Sequence, residues 1–454
     1  MKIIRSLYFS LRVWFVLAGF VVAFVLAYAL PVLFPLLQIA FAVFVLLLLL
    51  IELILLFRNK AAGEEPPFFA RRDMPDRLSN GDENPITLYL ENRYAFNTPV
   101  ELIDEIPFQF QRRNVLFTAD IKPNETKVIR YELRPTRRGE YSFGSINAFV
   151  MTPLKLLKRR FQFEQGRVVP VYPSYLQMRQ YELLAASNRL TEVGIKRIRR
   201  IGHSMEFEQV RPYTQGDDLR TINWKATARR SDPNQSNLVV NAFTDERSQA
   251  VYCLIDKGRV MRSPFEGLTL LDYAINASLV LSNIALMKQD RAGLITFSDR
   301  IGQIVPAERR PGHMLKILEV LYRQKTRYLE TDFEGLYATV RHQVRQRGLL
   351  LLFTNFETVS GLQRQLPYLR GLAKEHLLLV VFFDNTELRT LLDAPAYNTE
   401  QIYLKTIAEK FSYEKQLILK ELSQYGIQSI LTAPRDLTAN TVNKYLELKA
   451  RGMI

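Results

Sequence analysis

The sequence predicts a mixed α/β chain: two transmembrane helices, a small antiparallel β-sandwich, and then a doubly wound domain built on a parallel sheet. Three observations predict it. The first sixty residues are almost wholly apolar, residues 85–173 alternate with period two, and beyond residue 249 short buried strands alternate with helical stretches. The implied division is 1–60 for a helical hairpin, 61–175 for the sandwich, 176–245 for a basic linker and 246–454 for the α/β domain. At 454 residues the chain is too long for one ordinary domain. One Cys excludes a disulfide framework, and four scattered His exclude a clustered zinc site.

In the hairpin, residues 13–30 form an uncharged apolar run. After Pro31 and Pro35 a second run, 36–57, carries only Gln38 and Glu52 as strongly polar residues. At 1.5 Å per residue such runs cover about 27 to 33 Å, close to the hydrocarbon thickness of a bilayer. A cleaved leader is the competing reading, since Ala27-Tyr28-Ala29 has the small residues of a cleavage site; cleavage would still leave one span. Lys2, Arg5 and Arg12 precede the first run and Arg58 and Lys60 follow the second, so both ends are expected in the cytoplasm. Glu52 lies near the cytoplasmic end, where it is expected to reach toward Arg58 or the head groups.

The formal charge is +15, from 61 Lys and Arg against 46 Asp and Glu. The excess concentrates in residues 1–60 and 151–230. It peaks at Lys196, Arg197, Arg199 and Arg200, interleaved with Ile195, Ile198 and Ile201, a pattern suited to lying on anionic membrane lipid or to a simply solvated stretch. No RNA- or DNA-reading motif accompanies these cations, so nucleic acid is not an expected partner.

In the β region, Ile86, Leu88 and Leu90 alternate with Thr87 and Tyr89. Turn chemistry at Asn80-Gly81-Asp82, Asn97-Thr98-Pro99, Lys122-Pro123-Asn124 and Arg138-Gly139 separates several short strands. A small sandwich is the economical fold. No convergent His, Cys or carboxylate cluster is legible there, so spacing and partner contact are its expected roles. Farther on, apolar runs at 251–255, 293–297, 349–353, 377–383 and 427–431 alternate with helical stretches at 268–287, 333–345, 401–424 and 441–450. Such alternation demands a parallel sheet covered on both faces, with an antiparallel edge hairpin at residues 298–303. Ligands of open parallel sheets sit beyond the carboxyl ends of strands, which directs attention to Asp256, Asn355 and Asp384.

The stretch Gly202-His203-Ser204-Met205-Glu206-Phe207-Glu208-Gln209-Val210-Arg211-Pro212-Tyr213, continuing through Gly216-Asp217-Asp218-Leu219-Arg220 and Ile222-Asn223-Trp224 to Ala228-Arg229, resembles the signature of the bacterial "domain of unknown function 58" family. Asp256 to Arg259, Asp-x-Gly-Arg, and the hairpin ahead of the β region fit the same arrangement. The resemblance implies a von Willebrand factor A-like C-terminal domain in a family often paired with MoxR-type AAA+ ATPases, while the hairpin and its flanking cations lead to the expectation of a bacterial inner (plasma) membrane location. It implies no enzymatic activity. On their own residues, Glu206, Arg211, Tyr213, Gly216, Asp217, Arg220 and Arg229 around Trp224 read as an internal clasp, with a recognition surface as the alternative. The Asp217-Asp218 pair also suits a helix start.

A von Willebrand-type magnesium site, which the resemblance raises, would use Asp-x-Ser-x-Ser, a Thr and a second Asp. Here Asp256 is present, Gly258 and Val260 replace both Ser, Thr331 stands for the Thr and Asn355 for the second Asp. With one carboxylate left, Asp256 reads instead as a loop cap, with Arg259 supplying positive charge. Other chemistry finds no support. Gly202-His203-Ser204-Met205-Glu206 lacks the second Gly of a nucleophile elbow, and no phosphate-cradling Gly-rich loop is present. Cys253 lies within an apolar strand, where a thiol is buried and inert. The expectation is therefore a non-enzymatic, membrane-anchored adaptor without a cofactor. The alternative is a magnesium-dependent ligand receptor using the degenerate site at Asp256, Thr331 and Asn355.

Overall fold

The computed structural model describes residues 6–28, 34–57, 66–112, 116–186, 206–215, 217, 219–229, 238–244, 248–326, 328–393 and 395–453. The chain divides into two compact units, Met1–Tyr172 and Pro173–Ile454.

The first unit opens with strand β1 (Leu7–Phe9) and two helices, α1 (Leu11–Tyr28) and α2 (Phe34–Phe57). Phe20 and Phe41 stack between the helices with ring centroids 6.2 Å apart. Outward side chains such as Val21, Val25, Ile39 and Leu46 are apolar and exposed. Apolar surface of that extent is costly in water and at home in lipid. Among the described residues, Ile39–Phe57 and Leu270–Met287 are long and apolar enough to cross a membrane, and Leu11–Val22 is a shorter apolar stretch. Leu270–Met287 is mostly buried in the second unit, as a core helix should be.

Ten strands follow: β2 (Phe68–Asp73), β3 (Leu78–Ser79), β4 (Asn84–Asn92), β5 (Thr98–Asp104), β6 (Leu116–Ile121), β7 (Thr126–Leu133), β8 (Gly139–Phe143), β9 (Ile146–Met151), β10 (Leu157–Phe163) and β11 (Arg167–Tyr172). They form three sheets, ordered β1-β10-β9-β5-β6, β2-β4-β7 and β3-β11-β8. Pairing is antiparallel except between β3 and β11. Strand β4 alternates as its sequence requires, burying Ile86, Leu88 and Leu90. Leu88 and Leu90 meet Val100 and Leu102 of β5 and Ala148 and Val150 of β9 in one core.

The hairpin belongs to that core. Strand β1 pairs with β10, and Leu56 of α2 is fully buried beside Phe68 and Leu90, worth about 2 kcal/mol. The last turn of α2 is capped by side chains of the β domain. Tyr94 Oη donates to Leu56 O at 2.9 Å and Arg159 to the same oxygen at 2.6 Å, satisfying a carbonyl that the helix end leaves orphaned. Glu52 departs from the expected reach toward Arg58 or the head groups. It is wholly buried, and its carboxylate accepts from Leu157 N at 2.7 Å, Leu156 N at 3.3 Å and the Thr152 hydroxyl. A carboxylate this dry needs donors, and the turn between β9 and β10 supplies them.

A second buried carboxylate lies inside the sandwich, a cluster the sequence did not disclose. Asp104 accepts from Arg72 Nε at 3.1 Å and from a second guanidinium nitrogen, while Tyr131 donates to it as well. Arg72 also reaches Gly144 O at 3.1 Å. Burial and the adjoining Asp104 charge push the Tyr131 phenol up.

The second unit begins with α3 (Tyr175–Ala186) and a β-hairpin of β12 (Glu206–Pro212) and β13 (Val239–Thr244), with the one-turn helix α4 (Trp224–Arg229) between them. Its sheet comprises β14 (Ala250–Asp256), β17 (Arg291–Phe297), β18 (Ile301–Glu308), β19 (Leu349–Phe353), β20 (Leu377–Phe383) and β21 (Gln428–Thr432). The order is β18-β17-β14-β19-β20-β21, parallel throughout except for the antiparallel edge strand β18, at the expected hairpin. A minor hairpin, β15 (Pro264–Phe265) with β16 (Leu268–Thr269), precedes helix α5 (Leu270–Met287). Helices α6 (His313–Tyr322), α7 (Phe333–Gln343), α8 (Val359–Glu375), α9 (Thr386–Asp393), α10 (Thr399–Gln424) and α11 (Leu437–Ala450) complete it.

Helix α5 starts on a capping box in which Thr269 and Asp272 bond each other's backbone N–H, a device worth about 1 kcal/mol. It covers one face of the sheet, where Cys253 meets Ser278 and Ser282; burial pushes that thiol up to about 12. Helices α7, α8 and α10 cover the other, through Leu336, Leu369 and Ile418 against Leu254, Leu352 and Phe382. Helix α8 was not legible in the sequence because Pro367 interrupts its pattern.

Candidate functional site

In this strand order the chain leaves β14 toward β17 and β18, then returns to β14's other side for β19. The switch point, where open sheets part their loops, therefore lies at the carboxyl ends of β14 and β19. Asp256 ends β14, and Thr354 and Asn355 follow β19. Asp256 is fully buried, and its carboxylate accepts three hydrogen bonds. Gly258 N donates at 2.7 Å and Thr331 Oγ1 at 2.8 Å to Oδ1, and Thr354 Oγ1 donates at 2.7 Å to Oδ2. Burial raises the carboxyl's pKa, and the three donors, led by Thr354, oppose that shift.

Gly258 is required by close approach. A Cβ there would stand 1.9 Å from Thr331 Oγ1 and 2.9 Å from Asp256 Oδ1. The place where a serine would stand in a metal site is filled by the Thr331 hydroxyl. Arg259 pairs with Glu330 at 3.1 Å, both largely exposed, and so brings no charge to Asp256. Asn355 is turned to another neighbour: its Oδ1 accepts from Lys415 Nζ at 2.6 Å. Lys415, on α10, is pulled down to about 8 by burial, against the pull of Glu357 and Asp384. Lys257 is likewise lowered by burial.

Of the three residues considered for magnesium, the structure thus joins Asp256 and Thr331 and commits Asn355 elsewhere. No group of three His, Cys, Asp or Glu suited to a metal occurs among the described residues. The donor set suits a divalent cation poorly, because Asp256 is its single carboxylate and Asn355 Oδ1 is held by the Lys415 ammonium. Sequence reasoning missed Thr354 and Lys415. Thr354 directly precedes Asn355 after an apolar strand, a signal that could have found it; Lys415 is one of several cations on an amphipathic helix.

In the signature segment, Arg211 and Asp217 meet at 2.6 Å. Thr214 N and Oγ1 donate to Asp217 Oδ2 at 2.9 and 3.0 Å. The Arg211 hydrogen bond, with that of Thr214 N, holds the Asp217 carboxyl down at about 2. Tyr213 N donates to Leu238 O at 2.8 Å, tying the segment to β13. Asn223 caps α4, its Oδ1 accepting from Ala226 N at 2.9 Å while its Nδ2 donates to Asn241 at the same length. Trp224 is not the centre of a clasp: it is 68% exposed, beside Leu219 at 66%. Arg220 and Arg229 are exposed too. Gly216, Asp218, Lys196, Arg197, Arg199 and Arg200 lie outside the described residues, as does the side chain of Glu206.

Residues 209–392 match the family described as "Protein of unknown function DUF58". The matched stretch runs from β12 into α9 and contains Arg211, Asp217, Trp224, Asp256, Thr331 and Asn355. A curated relative, the uncharacterized protein YeaD of Bacillus subtilis strain 168, is 29% identical over 196 residues. That match covers 42% of this chain, which spans about 45% of the relative's length. Solved structures align weakly. A CARDB domain from Pyrococcus furiosus shares 19% identity over 25% of this chain and 99% of that domain, with a TM-score of 0.17. A PapD-like domain of human CEP192 shares 13% over 26% and 95%, with a TM-score of 0.19. Proximal thread matrix protein 1 of the mussel byssus shares 12% over 45% and 48%, with a TM-score of 0.27.

Proposed function

We propose that this protein is a non-enzymatic, membrane-anchored adaptor whose doubly wound, von Willebrand A-like unit binds protein partners, a MoxR-type AAA+ ATPase foremost. One observation carries the reading. At the switch point, where a sheet of this order would hold a ligand, the Asp256 oxygens are already occupied by Gly258, Thr331 and Thr354. The site is used to fasten loops together, which leaves binding to the outer surface. Exposed Leu219 and Trp224 within the family match suit that role, since a Trp on a polar surface is a frequent anchor at interfaces.

Helix lengths support anchoring. Helix α1 has 18 residues, and α2 counted from Phe34 to the residue before the buried Glu52 has the same 52 − 34 = 18. Each covers about 27 Å, so the two legs of the hairpin match one another and the bilayer core. The flanking cations favour an inner membrane with both soluble units in the cytoplasm.

Two measurements on the full chain test this. Alkaline carbonate washing is expected to leave it in the membrane pellet, and protease outside intact spheroplasts to spare its carboxyl half. The detergent-solubilised chain is expected to bind a purified MoxR-type ATPase. A soluble chain, or no complex at any of several salt concentrations, overturns the reading.

A further inference from the structure

At the foot of α1 the first unit holds an open cavity of about 590 Å3, lined in part by Arg12, Lys127, Lys155, Lys158, Glu101 and Asp120. Its charge is unevenly compensated. Lys158 is neutralised by Glu101, to whose two carboxylate oxygens it donates at 2.6 and 2.7 Å. Arg12 donates to Leu154 O at 3.2 Å and Lys127 to Asp120 O at 3.2 Å. Both partners are neutral backbone oxygens, so these two cations keep their charge, and Lys155 has no carboxylate partner among the described residues. Three cations thus converge on one hollow whose lining also carries the Asp120 carboxylate, so an excess of positive charge remains.

The cavity's place in the fold is equally particular. The turn carrying Lys155 is fixed to β1 and α1, through Ser10 N to Leu156 O at 2.9 Å and Ser10 Oγ to Lys155 O at 2.5 Å. The same turn holds Glu52 of α2. The hollow therefore sits where both apolar helices leave the sandwich. Leu11, Trp14 and Phe15 stand exposed on the first turns of α1, and an exposed Trp at the start of an apolar helix marks the level of the lipid head groups.

We propose that this cavity takes the phosphate head group of an anionic phospholipid, with the acyl chains lying along α1. Size and charge agree with this, since hollows of a few hundred Å3 accommodate a phosphoglycerol-sized group and a membrane's anionic leaflet attracts cations held at its surface. The inference rests on the anchoring reading above and goes beyond it, from a span in lipid to a lipid-specific site.

The test uses the full chain in detergent, with native mass spectrometry to count retained lipid. Phosphatidylglycerol is expected to be retained at least about tenfold over phosphatidylcholine, each cation contributing about fivefold. Arg12→Gln/Lys127→Gln/Lys155→Gln is expected to erase the preference. Glu101→Gln, which releases Lys158, is expected to strengthen it, a gain that unfolding could not produce. Equal retention of the two lipids, an unaltered preference in the triple variant, or no gain in the Glu101 variant overturns the proposal. Displacement of the lipid by inorganic phosphate at millimolar concentration assigns the site to a free anion and overturns the lipid assignment. Failure of the chain to pellet with membranes removes the anchoring reading as well, whereas a membrane-bound chain without lipid preference removes the head-group site alone.

Discussion

Asp104 in the sandwich and Asp256 in the doubly wound unit are both fully buried, yet one is held by the fork of Arg72 and the other by two hydroxyls and an amide. The difference teaches what each site is for. Arg72 cancels the Asp104 charge between packed sheets, so the pair acts as an internal rivet whose loss leaves an ion stranded in apolar surroundings. Asp256 ends a strand, where loops from three parts of the chain bring neutral donors but no cation. No cation among the described residues faces it, and its three hydrogen bonds gather those loops.

Breaking the rivet should have the largest effect. Arg72→Met leaves Asp104 buried without its counter-ion and is expected to destabilise the first unit by about 3 to 5 kcal/mol. Urea unfolding of the full chain in detergent, followed by a probe in the sandwich, measures it. The double variant Arg72→Met/Asp104→Leu should recover most of the loss, because removing both ends removes the stranded charge. A single variant as stable as the parent would show that water reaches Asp104, and the contrast with Asp256 would disappear.

How far the sequence foretold these sites follows from the range of the interactions involved. Period-two alternation on β4 and apolar runs such as residues 349–353 are local, so the strands and the antiparallel edge were legible. The position of Asp256 at a strand end was legible as well, since a carboxylate closing an apolar run needs no partner to be noticed. Its partners were not, for Thr331 and Thr354 lie 75 and 98 residues away. The same holds for Arg72 with Asp104, and for Glu52, whose donors in residues 152–157 are about a hundred residues distant. Trp224 shows the reverse failure. Rarity and flanking charges suggested the centre of an internal clasp, yet Trp224, the first residue of α4, is exposed.

Changing the charge of Asp256 sharpens the comparison with a smaller effect. Asn in its place can accept from Gly258 N and Thr331 with its oxygen and donate to Thr354, so Asp256→Asn keeps the geometry and discards the ion. Burial raises the folded carboxyl above its unfolded value. The native state then binds the proton more tightly, and stability is lost as pH rises through the carboxyl range, about 4 and upward. The variant is therefore expected to melt higher than the parent at pH 8, with the gap narrowing toward pH 4. Thermal melts of the full chain at the two pH values decide it. A gap that widens toward pH 4 would mean that Asp256 is stabilised as an anion, by a cation or a bound group.

Asp217 separates pairing from burial, with the smallest effect of the three. Like Asp104 it faces a guanidinium, from Arg211 at 2.6 Å, but it does so near solvent. The hydrogen bonds of Arg211 and Thr214 hold its carboxyl at about 2, below an unfolded value near 3.9. Here the sign is opposite to that of Asp256: the contribution is complete above the unfolded value and is lost as pH falls from about 4 toward 2. Solvent and salt screen it, since exposed pairs of this kind contribute little and the Debye length shrinks to about 3 Å at 1 M salt. Asp217→Asn should lower the melting temperature slightly at neutral pH and low salt, and the deficit should vanish in 1 M salt, halve near pH 3 and disappear only as pH falls to about 2 and below. A deficit that persists under both conditions would show that Asp217 acts through the Thr214 turn geometry instead of through charge, and pairing without burial would then have no measurable weight in this fold.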